Sequence, residues 1–410
     1  MARTAPFLAR VTRGSLCAGC GGCALVAPDS IEMAISPDGF LRPRQIGPVS
    51  AEDDAVIAGL CPGLGQSITP GDATDDTFWG PHRAMRTGWA TDAGLRHAAS
   101  SGGALSACLT HLLETGAVEG IVQTTAAPEL PHGNVAVLSD DADAVQGAAG
   151  SRYAPSAPLA GLAPYLDGQG RFAFVGKPCD VAALRAYALV DPRVDARFPV
   201  MLSFFCAGVP SLKGAEAIYQ ALGVPADQVV AFRYRGNGWP GRATARLADG
   251  TEQSMTYHDS WGKILSKHLQ HRCKICADGT GKAADLVCAD AWETDERGYP
   301  LFEEQEGVSL IVVRTGKGMG LLEAAQASGH LETGGFDALA LPGMQPGQYG
   351  RHRVLWARLL GLRLLGKPIP RYRGMHLRAA LRHAPWKVAL RNGLGMVRRV
   401  IQGRVRERMP

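Results

Sequence analysis

The passage Cys17-Ala-Gly-Cys20-Gly-Gly-Cys23 constrains this chain more than any other. Three thiols recur at every third position with only alanine and glycine between them, so the backbone can wrap tightly and aim the sulfurs at one compact centre. That spacing is the signature of an iron–sulfur cluster loop, whose fourth cysteine often comes from elsewhere and precedes a proline; Cys61-Pro62 fits. Four thiolates also suit a tetrahedral zinc ion, the rival occupant, although zinc sites usually present two separated pairs.

Whether thiols are read as ligands or as disulfides depends on the compartment. The opening MARTAPFLARVTRG has no apolar core followed by a small-residue cleavage site, so no secretory signal is expected. No run of about 18 apolar residues is present, so nothing is expected to span a bilayer. An unexported chain keeps its thiols reduced, which favours metal or redox sites and a cytoplasmic setting. Hydrophobic and charged shares of 46% and 20% over 410 residues argue against disorder and for a large globular enzyme of more than one unit.

Of the ten cysteines, four more stand apart: Cys179 in Gly176-Lys-Pro-Cys, Cys206 in Phe204-Phe-Cys-Ala-Gly-Val-Pro, and the pair Cys273-Lys-Ile-Cys276. Cys179 and Cys206 fall where predicted strands end and turn toward helices, the edge at which open α/β sheets place their crevices. Spacing leaves their convergence open. His268 and His271 precede the last pair and would also suit zinc, but their Lys/Gln/Arg-rich surroundings read as a solvated helix face. Cys108, on the stripe Ala104, Leu105, Cys108, Leu109, Leu112, Leu113, and Cys288, inside an apolar strand, read as core.

Between residues 76 and 345 strand and helix patterns alternate, giving an α/β core. Strands are expected at Gly120–Gln123, 171–176, 200–206, 229–234, 243–247, 285–289 and 308–314, with helices near 104–115, 178–188, 211–222, 260–270 and 318–328. Residues 1–75 form a Gly/Pro-rich iron–sulfur segment with little periodicity. Residues 346–410 form a basic tail. From 351 onward the chain has 16 Lys and Arg against one acid, Glu407, leaving 27 bases and 37 acids before it. Residues 375–402 mix Leu, Val, Ile, Met and Trp386 with Arg and Lys, a pattern suited to a helix on an anionic membrane surface or to docking on the acidic body. Nucleic acid is not expected as a partner.

Ser100-Ser-Gly-Gly-Ala104, Gly150-Ser-Arg-Tyr153, Val175-Gly-Lys-Pro-Cys179, Phe205-Cys-Ala-Gly-Val-Pro-Ser211, Phe232-Arg-Tyr-Arg-Gly236 with Trp239, and Cys273-Lys-Ile-Cys276 occur in the order found in the coenzyme F420 hydrogenase/dehydrogenase beta-subunit family. The chain resembles that family over roughly residues 15–335. The N-terminal triplet and Asp75-Asp-Thr-Phe-Trp-Gly80 look like the branch of 7-hydroxymethyl chlorophyll a reductase and ferredoxin-dependent 8-vinyl reductases. The resemblance implies a mixed-sheet FAD-binding core behind a small ferredoxin-like module, with 4Fe–4S clusters at Cys17, Cys20, Cys23, Cys61 and at Cys179, Cys206, Cys273, Cys276. It implies FAD on Ser100, Ser101, Gly102, Gly103, on Gly150, Ser151, Arg152, Tyr153, and on Gly176, Lys177, Pro178. A helix N-terminus opened by two glycines independently suits a pyrophosphate.

The expected reaction passes electrons from a ferredoxin-like one-electron donor through two clusters to FAD and on to a small organic substrate, with Tyr153, Lys177, Asp180 and Asp290 as candidate catalytic groups. The alternatives are a coenzyme F420-dependent oxidoreductase or electron-transfer subunit, and a non-catalytic zinc or cluster scaffold. The strand Ala284-Asp-Leu-Val-Cys-Ala-Asp290-Ala-Trp292 and the acidic stretch Glu293–Glu306 depart from the family pattern and leave the substrate open.

Overall fold

A computed structural model describes residues 3–295, 301 and 303–410, so the acidic stretch after Glu293 lies partly outside the described residues. An eight-stranded mixed sheet organises the chain. Its strands are β1 (Ala84–Ala90), β2 (Gly120–Ala127), β3 (Leu130–Ser139), β4 (Phe172–Gly176), β5 (Val200–Phe204), β6 (Leu286–Asp290), β7 (Ser309–Val313) and β8 (Leu331–Gly334). Across the sheet they run β8-β1-β7-β6-β5-β4-β2-β3. The central strands β2, β4, β5 and β6 are parallel neighbours, and the flanking pairs are antiparallel.

Both faces of this sheet are covered, which explains why its central strands read as unbroken apolar runs rather than as alternation. In β4, Phe174 joins one core with Met201, Val287, Leu310 and Val312, while Ala173 and Val175 join the other with Leu202, Leu286, Cys288 and Ile311. Helix α1 (Ala104–Glu114) closes the second core with Ala104, Cys108, Leu109 and Leu112; Gly103 starts it and Gly116 follows its end, both in the left-handed region. Cys108 and Cys288 are buried core residues, as expected. Helix α2 (Pro178–Ala188) covers the opposite face through Val181, Ala183 and Leu184.

Three strands of this sheet escape the sequence pattern. β3 contains Pro131 and Gly133 and survives as an edge strand, where a missing ladder donor is tolerated. β1 carries Gly88, whose bare Cα lets the β8 backbone pass close by, and β8 is short and half polar. The segment expected as one helix over 260–270 is instead a widened π turn, His258–Ile264, followed by a tight Leu265–His268 turn. Wide turns of this kind re-aim side chains, and here Tyr257 and Trp261 reach a cleft.

Residues 3–67 are more regular than their composition implies. They form helices Pro6–Gly14, Gly22–Val26 and Ala51–Leu60 and a hairpin Ile31–Ile35/Leu41–Gln45. The basic tail packs on this segment: Leu355, Leu359 and Leu362 of helix α3 (Pro346–Leu364) and Met396 of helix α4 (Trp386–Ile401) share one core with Phe7, Val11, Leu16 and Ile57. A Cβ on Gly361 would lie 2.6 Å from the Gly393 carbonyl oxygen, so glycine is what lets α3 and α4 cross closely. The outer side of α4 stays open, with Trp386, Leu390 and Leu394 more than half exposed. Among the described residues no helix is long and apolar enough to cross a membrane.

Candidate functional site

The first thiol quartet forms where three short elements meet. Cys17 follows the Pro6–Gly14 helix after a left-handed Ser15; Cys20 lies between Gly19 and Gly21, also left-handed; Cys23 opens the Gly22–Val26 helix; Cys61 caps Ala51–Leu60. A Cβ on Gly21 would come 2.7 Å from the Ala160 amide nitrogen, and one on Gly63 would come 2.3 Å from the Leu16 carbonyl oxygen. The glycines are therefore needed for the wrap. All four thiols line one small apolar void with Phe7, Val11 and Ile57. Backbone N–H groups point at them, including Gly19 N to Cys17 Sγ at 3.3 Å.

The second quartet assembles across the C-terminal edge of the sheet. Cys179 sits in the first turn of α2 after β4, Cys206 follows β5, and Cys273 and Cys276 flank the end of the His271–Lys274 turn. Cys179 and Cys206 follow the paired parallel strands β4 and β5, the Cys206 amide donates to the Gly279 carbonyl oxygen just past Cys276, and the Val209 amide reaches Cys273, which draws the four to one edge. Cys273 Sγ accepts from Val209 N at 3.3 Å and Gln270 Nε2 at 3.1 Å. Gln348 and Arg351 of α3 both hold the Cys206 carbonyl oxygen.

Burial is the chief cause that raises the Cys17, Cys20, Cys23, Cys61, Cys179, Cys206 and Cys273 thiols above the ordinary range, Cys61 to about 11 and Cys206 to about 12. Loading such a site must expel protons. Among the described residues no group of three His, Cys, Asp or Glu side chains is placed to hold a metal ion as it stands. Two all-thiol sets with inward N–H donors fit a polynuclear iron–sulfur centre by the chemistry of the donors. Arg272, the residue before Cys273, donates from Nη2 to the carbonyl oxygen of Pro62, the residue after Cys61, at 2.7 Å, so the quartets are neighbours.

Beside the second quartet, and sharing Cys206, opens a cleft of about 290 Å³. Ser100, Ser101, Gly103, Gly150, Ser151, Arg152, Tyr153, Gly176, Lys177 and Asp290 line it. Gly102, Pro178 and Asp180 are not among its lining residues. Gly102 has a structural duty, because a Cβ there would strike the Gly307 carbonyl oxygen at 2.8 Å. Arg152 commits donors to Asn134 Oδ1 and to the carbonyl oxygens of Phe232, Pro131 and Gly133, tying β3 to the three-stranded sheet Val229–Arg233, Arg242–Leu247, Glu252–Thr256.

Lys177 Nζ bonds Asp180 Oδ2 at 2.6 Å and Ser156 Oγ at 2.8 Å. Burial would lower its pKa, but Asp180 and the Cys179 and Cys206 thiols outweigh burial and raise it. Lys177 is thus a cation with one further donor. Asp290 accepts both arms of Arg235, at 2.8 and 2.7 Å, and Trp239 Nε1 at 2.9 Å, which makes it a counter-ion for Arg235. Tyr153 packs 4.7 Å from the Trp261 ring and hydrogen-bonds Tyr257.

Arg235, Tyr257, Trp261 and Trp292 are cleft residues that sequence reasoning did not single out as a site. Arg235 lies over the Tyr257 and Trp292 rings at 4.7 and 5.0 Å, and Trp239 stacks on Trp292 at 4.8 Å. The Phe232-Arg-Tyr-Arg-Gly236 passage was the available signal, but the rings come from three distant segments. Together they give a broad aromatic wall suited to a flat ring, in the same cleft as the α1 N-terminus.

Two family models match the chain, the N-terminal part of the coenzyme F420 hydrogenase/dehydrogenase beta subunit over residues 85–163 and its C-terminal part over 169–338. The chain belongs to this beta-subunit family. A curated relative, the F420-dependent formate dehydrogenase subunit beta of Methanocaldococcus jannaschii, is 22% identical over 249 residues, 59% of each chain. The chain thus spans 59% of that relative's length. A solved chain from the F420-reducing NiFe hydrogenase complex of Methanosarcina barkeri shares the fold, with a TM-score of 0.53 and 20% identity over 71% of this chain and 97% of that one. The beta-subunit match contains the Cys179, Cys206, Cys273, Cys276 set and all of the cleft lining except Gln345 and Gln348. The Cys17 to Cys61 set lies outside it.

Proposed function

We propose that this chain is an iron–sulfur flavoprotein of an oxidoreductase system, with a 4Fe–4S cluster on each thiol quartet and FAD in the cleft. The observation that carries the reading is adjacency: the first quartet neighbours the second through the Arg272 to Pro62 hydrogen bond, and Cys206 of the second is itself a wall of the cleft. Clusters supply one-electron steps and a flavin couples them to two-electron chemistry. The protein's part is to hold the flavin ring against the aromatic wall, to place the α1 N-terminus and Lys177 near its anionic portion, and to keep water from the thiols.

The electron partner separates two versions. A ferredoxin-like donor fits a relay entered at the N-terminal quartet and ending on a small organic substrate. Coenzyme F420 fits the names of the relatives, both of them F420-linked. Anaerobic reconstitution is expected to give about eight iron per chain and one FAD, and the flavin is then challenged separately with reduced ferredoxin and reduced coenzyme F420. Reduction by F420 alone would remove the ferredoxin version; stoichiometric zinc without flavin would remove both.

The open face of α4 supports a peripheral contact on the inner face of the membrane. Trp386, Leu390 and Leu394 form its exposed stripe beside Lys387, Arg391 and Arg398, a pairing of apolar and cationic groups that anionic lipid complements.

A further inference from the structure

Arg272 is 2% exposed and stands next to Cys273. Its Nη2 donates to the Pro62 carbonyl oxygen at 2.7 Å, and Pro62 follows Cys61 of the other quartet. Its Nε and Nη1 are buried without a hydrogen-bond partner, and its Cζ lies 5.7 Å from the Tyr372 ring centroid. Arg42, equally deep, is neutralised by Glu407 and bonded to Gln270. Arg272 has no carboxylate partner among the described residues; it stands between its chain neighbour Cys273 and Pro62, the chain neighbour of Cys61.

A guanidinium cannot shed its proton to escape burial, so a buried one without a carboxylate must find its negative charge elsewhere. A centre held by four thiolates carries net negative charge and its sulfurs accept hydrogen bonds. We propose that Arg272 is the shared counter-cation of the two clusters, its two uncommitted N–H donors serving cluster sulfur. This rests on the two-cluster reading above. A cation between two negative centres favours the reduced form of each and weakens the repulsion that reducing one imposes on the other. Arg272 is a positioning and tuning residue rather than a participant in the chemistry.

The test is a potentiometric titration of the anaerobically reconstituted full chain, followed by electron paramagnetic resonance, comparing wild type with R272Q and R272K. Wild-type protein must first show two clusters; fewer refutes the two-cluster reading before Arg272 is touched. The expected result is unchanged iron in R272Q with both midpoints more negative by at least a tenfold change in the reduction equilibrium, 59 mV for one electron, and partial recovery of both in R272K. A shift in one cluster only, or in neither, overturns the proposal. If R272Q loses iron, R272K decides: retained iron with both midpoints near wild type means the charge is what both sites require, whereas loss of iron there too reduces Arg272 to a packing element.

Discussion

Glu407 grips Arg42 through a 2.6 Å contact in which the two side chains are 9% and 1% exposed, and the same carboxylate accepts from the His271 amide at 2.8 Å. One residue of the tail thus links the N-terminal hairpin to the segment that leads into Cys273. E407A leaves Arg42 buried and unpaired and is expected to cost about 3 kcal/mol, with loss of iron from both quartets. R42M/E407L should regain most of that stability in chemical denaturation, because replacing both partners removes the buried charge altogether.

Each quartet should load independently. C61A is expected to lose about four iron, as is C206A, and the electron paramagnetic resonance spectrum of each should keep the other cluster. A variant at either position that loses all iron while remaining folded would show one centre shared by both sets.

Ser106, in the first turn of α1, lines the cleft. S106W should fill the space a flavin needs and weaken FAD retention roughly tenfold or more, about 1.4 kcal/mol. Iron content should not change, since no thiol is displaced. Bound flavin and iron measured on the same sample check both halves.

Lys282 is buried, and its Nζ has no hydrogen-bond partner. Burial is the largest cause of its pKa falling from 10.5 to about 8, with Arg314 adding to the fall and Asp278, Asp75 and Asp76 opposing it; His352 also faces it. Below pH 8 the folded chain carries this penalty in full. Between about pH 8 and 10.5 the unfolded chain binds more protons, so stability rises with pH. K282M should therefore stabilise the protein at pH 7 by roughly 3 kcal/mol, and thermal melts should show the difference vanish as pH approaches 10.5.

On the tail, W386E/L390E/L394E should abolish flotation with phosphatidylserine-containing vesicles and leave the melting temperature unchanged, because these side chains are solvent-exposed. Removing the tail at residue 350 is a poor substitute. It would strip Leu355, Leu359 and Met396 from the core that seats the first quartet.

Local spacing was enough to mark Cys17, Cys20, Cys23 and Cys61 as one set and to place helices 104–114 and 178–188, because a cluster loop and an apolar stripe are written within a few consecutive turns. Composition also marked the tail as a distinct basic stretch. What the tail does inwardly was not written there: its apolar face is defined by Phe7, Val11 and Ile57, distant in sequence near the start of the chain. The same holds for Cys179, Cys206, Cys273 and Cys276, which sequence resemblance grouped and only the parallel order of β4, β5 and β6 brings to one edge. Arg272 shows the limit most plainly. As a sequence letter it is one base in a basic run, Lys267 to Lys274, and would be taken for a solvated charge. Its burial between two thiol quartets, with donors left over, follows from three chain segments closing around it, and no periodicity within any one of them encodes that.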